Sequence, residues 1–198
     1  MEKVRNTFLV ILIAFVAITA HTAELKKSKT SIPKIAEIAG IQVGSSSMEE
    51  LEARFGKGKG VTGGHPNGAR LWRVKGTSWM IHADAFDYST KGAVVDAFSI
   101  TGFDKSQKEV PYARFAKNKL AYLGGITLGM GEDELLRIAK RNSLTAIKAP
   151  DGWLIKATGY SPLTSIPSAL EEWTAQFVIK KKSITGILLG ASEMSAAK

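Results

Sequence analysis

Polar side chains that could share a proton or a metal ion are concentrated between residues 82 and 96. His82 and Asp84 are two residues apart in an alternating segment, so on a strand their side chains share one face. Asp87 follows them, and Asp96 lies in the next alternating segment. Such residues can act as a general base with its orienting carboxylate, or can bind a metal. The competing interpretation is the solvent-facing side of a sheet, which we favour because no HExxH or Gly-x-Ser-x-Gly motif is present.

A glycine-rich segment, Gly56–Gly68, contains the letters of a dinucleotide-binding fingerprint. Gly58, Gly60 and Gly63 have GxGxxG spacing. That fingerprint works between a strand and the helix that follows it, whereas here a predicted helix precedes the glycines and a predicted strand follows them. We therefore interpret the segment as an exposed loop, and its basic groups make it a candidate contact element.

Four tryptophans, at positions 72, 79, 153 and 173, fall in segments predicted to be strands. A buried aromatic side chain removes about 150–250 Å² from water, so most of the four are expected in the core. A tryptophan exposed on a sheet would instead mark a binding surface, because this residue is enriched at interface hot spots. The candidate binding residues are Lys57, Lys59, His65, Trp72, Trp79 and Trp153.

The N-terminus has the pattern of a secretory signal peptide over residues 1–20. Lys3 and Arg5 form a basic start, and the uncharged stretch Thr7–Ala20 follows it. The apolar stretch is shorter than the roughly 20 residues needed to span a bilayer, and it ends in the small residue Ala20. We expect cleavage after Ala20 and a periplasmic or secreted mature protein. The alternative is an uncleaved membrane anchor.

The chain is basic and contains no cysteine. Its 198 residues carry a formal net charge of +9. Without cysteine, thiol catalysis, a zinc–thiolate site and a lipidated N-terminal cysteine are excluded, and no cofactor is expected. In an exported protein, positive charge favours an acidic protein surface, an anionic lipid or an anionic glycan as partner, and not nucleic acid. The alternative is that the charge serves solubility alone.

Two segments of the mature chain open in the same way, 85 positions apart. Gly40–Gly44 and Gly125–Gly129 both read Gly-Ile-x-aliphatic-Gly. Each is followed by a predicted helix with an acidic first turn, over Met48–Phe55 and over Glu132–Arg141. Ser46 with Glu49, or Ser47 with Glu50, has capping-box spacing at the start of the first helix.

After each helix the apolar period changes from helical to alternating, which predicts antiparallel strands. The predicted strands are Leu71–Lys75, Ser78–Ala85 and Ala93–Thr101 in the first unit, and Leu144–Lys148, Trp153–Ala157, Trp173–Lys180 and Ile184–Leu189 in the second. Short turns join them, and the basic run Lys180–Lys182 is interpreted as a charged hairpin turn. The predicted fold class is α+β, with two tandem repeats that each pack a short helix or helix pair on a three- or four-stranded antiparallel meander.

These elements predict six regions along the chain. They are a signal peptide (1–20), a Lys-rich N-terminal arm (21–37), a first α/β repeat (38–101), a connector with a helix over Tyr112–Tyr122 (102–123), a second α/β repeat (124–190) and a disordered tail (191–198). The stretch Gly159–Ala169, which contains two prolines, is expected to be a loop between strands.

The opening segment, the capped acidic helix and the Trp-containing meander, present twice, resemble the tandem-repeat β-lactamase-inhibitor-protein-like fold. Each unit is also similar to the small protein A/outer-membrane lipoprotein A family. The resemblance covers about Ile38–Thr101 and Gly124–Ser192, and it implies an exported protein that binds other proteins through an exposed sheet face or through loops. The chain lacks the cysteine of the lipoproteins and the disulfides of the secreted inhibitors, so outer-membrane assembly and β-lactamase inhibition do not carry over as specific functions.

We therefore expect a non-catalytic, exported protein-binding module of the cell envelope, either an enzyme inhibitor or an assembly accessory. The alternative is a small envelope hydrolase or metal-binding protein centred on His82, Asp84 and Asp96, which requires these three side chains to converge. A third hypothesis is adsorption of the Lys-rich arm to an anionic membrane surface.

Overall fold

An antiparallel sheet of eight strands organises the chain. The computed structural model describes residues 32–61, 68–88, 92–103, 109–115, 117–160 and 170–193. A small hairpin of β1 (Glu37–Ile38) and β2 (Ile41–Gln42) precedes the sheet. The sheet strands are β3 (Lys59–Gly60), β4 (Arg70–Arg73), β5 (Trp79–Tyr88), β6 (Gly92–Gly102), β7 (Ala146–Ala149), β8 (Gly152–Tyr160), β9 (Leu170–Lys180) and β10 (Ser183–Glu193). Their order across the sheet is β3-β4-β5-β6-β10-β9-β8-β7, and neighbours are antiparallel.

The described part of the chain contains two α-helices, both where the sequence predicts them. Helix α1 spans Met48–Phe55 and helix α2 spans Glu132–Arg141. A capping box begins α1: the Ser47 hydroxyl accepts the Glu50 N–H at 3.1 Å, and the Glu50 carboxylate accepts the Ser47 N–H at 3.3 Å. Acidic residues in the first turn of α2 and basic residues in its last turn suit the helix dipole. No helix among the described residues combines the length and apolar character needed to cross a membrane.

The predicted fold class, α+β with two tandem helix-plus-meander repeats, is wrong. Strands β6 and β10 pair along Ala97–Thr101 and Gly186–Gly190, so all eight strands belong to one sheet instead of two separate meanders. Gly125–Gly129, predicted to open a second repeat as an extended segment, forms no strand: Ile126 makes an isolated bridge with Tyr122, and the Gly129 N–H donates to the Ile184 carbonyl at 2.8 Å. Both β6 and β10 have 11 residues, and their pairing satisfies backbone groups that two separate meanders would leave open.

Two predicted connecting segments also differ from the structure. Residues 34–36, at the end of the predicted arm, form a 3-10 helix with two buried residues. The connector contains a 3-10 helix over Lys117–Leu120 in place of the predicted α-helix over Tyr112–Tyr122. Tyr112 instead forms a parallel bridge with Arg73, at the end of β4 that β3 does not pair with.

The last strands reach further than the sequence predicts. Strand β8 continues to Tyr160, into the predicted loop, and β10 continues to Glu193, into the predicted tail. Pairing with the full length of β9 carries both strands past the end of their apolar alternation. The predicted signal peptide, residues 21–31 of the arm, most of the predicted loop and residues 194–198 lie outside the described residues.

The sheet has two unlike faces. The inner face carries large buried side chains from six strands, namely Trp72, Ile81, Phe98, Leu189, Phe177 and Ile155. Leu51 of α1, Leu135 of α2 and Ile35 of the first 3-10 helix belong to the same core, so these elements pack on the inner face. The outer face carries the intervening residues of each strand, as the two-residue period of a strand requires.

Hydrogen bonds from buried aromatic residues tie the inner face to the segments that cover it. The Trp72 indole N–H donates to the Gly56 carbonyl at 2.8 Å, and that of Trp173 donates to the Val43 carbonyl at 2.9 Å. The Tyr122 hydroxyl donates to a carbonyl of the first 3-10 helix at 2.6 Å, and burial raises the pKa of Tyr122. All three polar groups are therefore satisfied inside the core, which fixes how the covering segments lie.

Candidate binding surface

One residue from each of seven neighbouring strands forms a line across the outer face, and we call this line the outer row. Each member is the direct antiparallel partner of the next, from β4 to β7. The outer row consists of Leu71, His82, Ser99, Leu188, Gln176, Leu154 and Ile147. At about 4.8 Å between strands, the row is about 29 Å long.

The outer row combines apolar side chains with hydrogen-bonding groups. Leu188 is 36% exposed and Ile147 is 49% exposed. Near the centre, Ala97 of β6 pairs with Gly190 of β10. A shallow depression of about 160 Å³ lies at Ala97, next to Leu188 and His82. The surface therefore offers an apolar side chain beside a recess, with polar groups around both.

His82 and Asp84 share the outer face and lie in contact. The His82 Nε2 is 3.4 Å from the Asp84 Oδ1, and both side chains are about one-third exposed. Asp96 sits at a β-bulge, because the β5–β6 register shifts between Asp84 and Ala85. No three His, Asp or Glu side chains of the described residues are arranged to hold a metal ion. The structure thus brings together two of the three residues of the hydrolase or metal hypothesis and not the full set.

The glycines of the predicted loop have a packing role. A Cβ on Gly58 would lie 2.7 Å from indole carbons of Trp72, so the backbone can pass this ring only without a side chain. Gly60 belongs to β3 and pairs with Arg70. Part of the segment is therefore an edge strand instead of a loop. As expected from the sequence, helix α1 precedes the glycines and strand β4 follows them. In a dinucleotide fingerprint the strand comes first and the helix follows.

The three basic candidates of this segment have different surroundings. Lys57 is exposed. The Lys59 Nζ lies 3.5 Å from a carboxylate oxygen of Glu109, whose side chain is 88% exposed. Such an exposed pair holds a side chain only weakly. His65 lies outside the described residues.

The tryptophan candidates separate into core and border residues. Trp72 and Trp173 are completely buried, so Trp72, a predicted binding candidate, is inaccessible to a partner. Trp79 and Trp153 are partly buried and pack at the margins of the inner face. Strand periodicity places all four on one face but does not say where that face ends.

Trp153 takes part in a polar cluster at the β7–β8 margin. Its indole N–H donates to a Glu132 carboxylate oxygen at 2.8 Å, and the Lys148 Nζ lies 3.0 Å from the same oxygen. Lys148 also lies 4.6 Å from the centre of the Trp153 ring. Hydrogen bonds from Trp153 and Lys148 lower the pKa of Glu132. The cluster holds Trp153 in place, so its indole N–H is already used within the chain.

An arginine between two aromatic rings was not predicted from the sequence. The Arg73 guanidinium carbon lies 4.4 Å from the Phe103 ring centre and 4.6 Å from that of Tyr112. Tyr112 is 50% exposed. Arginine and tyrosine are typical of interface hot spots. Because Arg73 and Tyr112 meet only through the bridge between β4 and the connector, no local sequence pattern signals the contact.

Comparison with known proteins adds no relative. No family model, no curated protein and no solved structure matches the chain. The resemblance drawn from the two Gly-Ile-x-aliphatic-Gly segments therefore stays a prediction.

Proposed function

We propose that this chain is an exported protein-binding module that recognises another envelope or secreted protein through the outer face of its sheet. The observation that supports the proposal most directly is the outer row, with the partly exposed Leu188 beside the central recess. The helices pack on the opposite face. Among the described residues, Leu188 and Ile147 of the outer row are therefore exposed, whereas Leu71 at one end of the row is buried.

The dimensions of the outer face suit a protein partner better than a small ligand. A standard protein interface buries about 800 Å² on each partner, which corresponds to a patch about 28 Å across. The outer row has about that length. The central recess, at about 160 Å³, is smaller than the roughly 300–1,000 Å³ of typical small-molecule pockets. A recess of this size fits one side chain of a partner.

The exported part of the proposal rests on the sequence. Residues 1–20 have the basic start and the short apolar stretch of a signal peptide. The partner is accordingly expected in the envelope or outside the cell. The two specific roles of inhibitor and assembly accessory both follow from binding and are distinguished by the identity of the partner.

The decisive experiment compares two variants that add the same charge on opposite sides of the molecule. Leu188→Arg alters the outer face, whereas Ala53→Arg alters the exposed side of α1. Mature protein from His21 onward would be used to capture envelope proteins at about 0.5 M salt, where exposed charge interactions are largely screened. Circular dichroism would first show that both variants are folded.

We expect wild type and Ala53→Arg to retain the same stoichiometric protein. Leu188→Arg should retain at least about tenfold less of it, because a buried unpaired charge at an interface costs more than about 1.4 kcal/mol. Equal capture by all three proteins would place binding away from the outer face and contradict the proposal. Loss of capture in Ala53→Arg alone would point to the helical side instead.

A further inference from the structure

A groove of about 660 Å³ lies between the β4–β5 turn and the connector. Its lining consists of Lys75, Gly76, Ala113, Arg114, Phe115 and Lys117. The volume falls within the roughly 300–1,000 Å³ of typical ligand sites. The groove is open at the surface and has about four times the volume of the recess on the outer face.

The charged residues of this groove all have the same sign. Lys75, Arg114 and Lys117 are exposed cations, and no carboxylate contributes to the lining. None of the three forms a side-chain ion pair with a residue that the structure describes. A second groove, of about 520 Å³, combines two lysines with Glu37. Three like charges with no counter-charge repel one another, and an anion bound among them removes that repulsion.

The backbone around the groove is held in place from several sides. The Arg114 N–H donates to the Phe55 carbonyl at 3.0 Å, and the preceding residue, Ala113, donates to the Arg73 carbonyl at 2.8 Å. The Phe115 ring packs 4.5 Å from the Phe55 ring. These contacts anchor the connector to α1 and β4, so the groove does not depend on a free loop.

The Arg114 side chain lies close to Gly56. A Cβ on Gly56 would lie 2.9–3.2 Å from Arg114 Nε, Cγ and Cδ, and Gly56 has a φ of 83°. The positive φ of Gly56 is a conformation that favours glycine, and the absence of a side chain there leaves room for Arg114. On the other wall, the Thr77 hydroxyl donates to the Val74 carbonyl at 2.9 Å and holds the turn that carries Lys75.

We propose that this groove is a binding site for a multivalent oxyanion of the phosphate type. Two lysines supply point charges and one arginine supplies a planar donor group, the combination that phosphate groups favour. One carboxylate would neutralise only one of the three cations. We therefore expect a ligand with at least two negative charges. Two sources share this chemistry: a soluble polyphosphate and the phosphates of lipid headgroups. The site does not involve the outer face and is independent of the proposed protein partner.

The test uses two double variants that lose the same charges at different places. Arg114→Gln with Lys117→Gln removes one arginine and one lysine from the groove. Arg137→Gln with Lys140→Gln removes the same two residue types from the exposed side of α2, at positions that line none of the grooves described. Inorganic tripolyphosphate would be titrated calorimetrically into each protein at low ionic strength, and flotation with vesicles containing phosphatidylglycerol would be measured in parallel.

We expect one tripolyphosphate to bind per chain, with at least about a tenfold loss of affinity in the groove variant, since that variant loses two charge-assisted contacts to the ligand. The α2 variant should bind within about twofold of wild type. The same pattern with vesicles alone would support the site and identify a lipid headgroup as the source. Equal losses in both variants would indicate attraction to overall charge and overturn the proposal. Absence of binding to both probes would also overturn it.

Discussion

The two faces of the sheet place different kinds of side chain on the same strands. Adjacent residues of β9 illustrate this, because Phe177 is completely buried on the inner face while Gln176 remains partly exposed on the outer face. The inner face packs against helices and 3-10 segments through large aromatic and aliphatic groups. The outer row mixes leucines with Ser99 and His82. The large buried side chains are therefore concentrated on the inner face, and of the outer row only Leu71 is also buried.

The largest effect is expected when neighbouring residues on the two faces of β9 are each replaced by alanine. Phe177→Ala should lower the free energy of unfolding by about 3–5 kcal/mol, because it removes a buried ring and leaves a cavity. Gln176→Ala should change it by less than about 0.5 kcal/mol, as is usual for surface positions. Urea denaturation followed by tryptophan fluorescence measures both values. A cost above about 2 kcal/mol for Gln176→Ala would show that the outer face also belongs to the core.

A smaller effect is expected at the β9–β10 turn, which belongs to neither face. Lys181 and Lys182 have φ values of 50° and 63°, the conformation of a type I′ turn that favours Asn-Gly. The left-handed conformation costs an ordinary residue about 1–2 kcal/mol. Replacing the pair by Asn-Gly should therefore raise the free energy of unfolding by about 1–2 kcal/mol in urea denaturation.

A charge control separates strain from repulsion at this turn. Lys181→Gln with Lys182→Gln removes the two charges and keeps the strained backbone. We expect this variant to have nearly the stability of wild type. If the Gln variant were as stable as the Asn-Gly variant, repulsion between the two lysines, and not their backbone conformation, would be what destabilises the turn.

The smallest effect concerns the margin where the inner face meets solvent. Glu132 has a lowered pKa because Trp153 and Lys148 donate hydrogen bonds to it. A carboxyl group whose pKa is lower in the folded state stabilises the fold above its unfolded pKa, and that contribution disappears as the pH falls through the folded value. Wild type should thus melt slightly above Glu132→Gln at pH 7, and the difference should shrink as the pH falls below the ordinary glutamate pKa of about 4.3.

The pH dependence of this melting difference tests the cause. Glutamine retains an oxygen that can accept the Trp153 indole N–H, so the comparison isolates the negative charge. Thermal melts at pH 7, 5 and 3 suffice. A difference that persists unchanged at pH 3 would assign the effect to packing of the side chain and not to ionisation.

Local elements of this fold could be predicted from the sequence because their signals are local. The capping box at Ser47 and Glu50 and the alternation along β5, β6, β8 and β9 correspond to observed elements. The junction of β6 with β10 could not be predicted, since alternation defines the faces of a strand and not its neighbour. Tandem repeats were inferred where one sheet exists for this reason.

The candidate site could be predicted only in part. The contact of His82 with Asp84 follows from their spacing. Trp72 was a binding candidate and is a core residue, because periodicity does not tell the centre of a face from its margin. The groove with Arg114 was missed entirely. It depends on Gly56 and on the path of the connector, which bring together residues that no sequence motif connects.

The junction of β6 with β10 has a consequence for how the chain folds. Its paired residues are 85 to 93 positions apart in the sequence, whereas the hairpins beside it close over short turns. Contacts between residues so far apart in the sequence slow folding, because the chain loses the entropy of closing a long loop before these contacts can stabilise it. Strand β10 is synthesised after the other seven strands of the sheet, so the edge of β6 stays open until β10 has been made. A nascent or truncated chain therefore presents an unpaired central strand, and rapid completion of β10 protects it from aggregation.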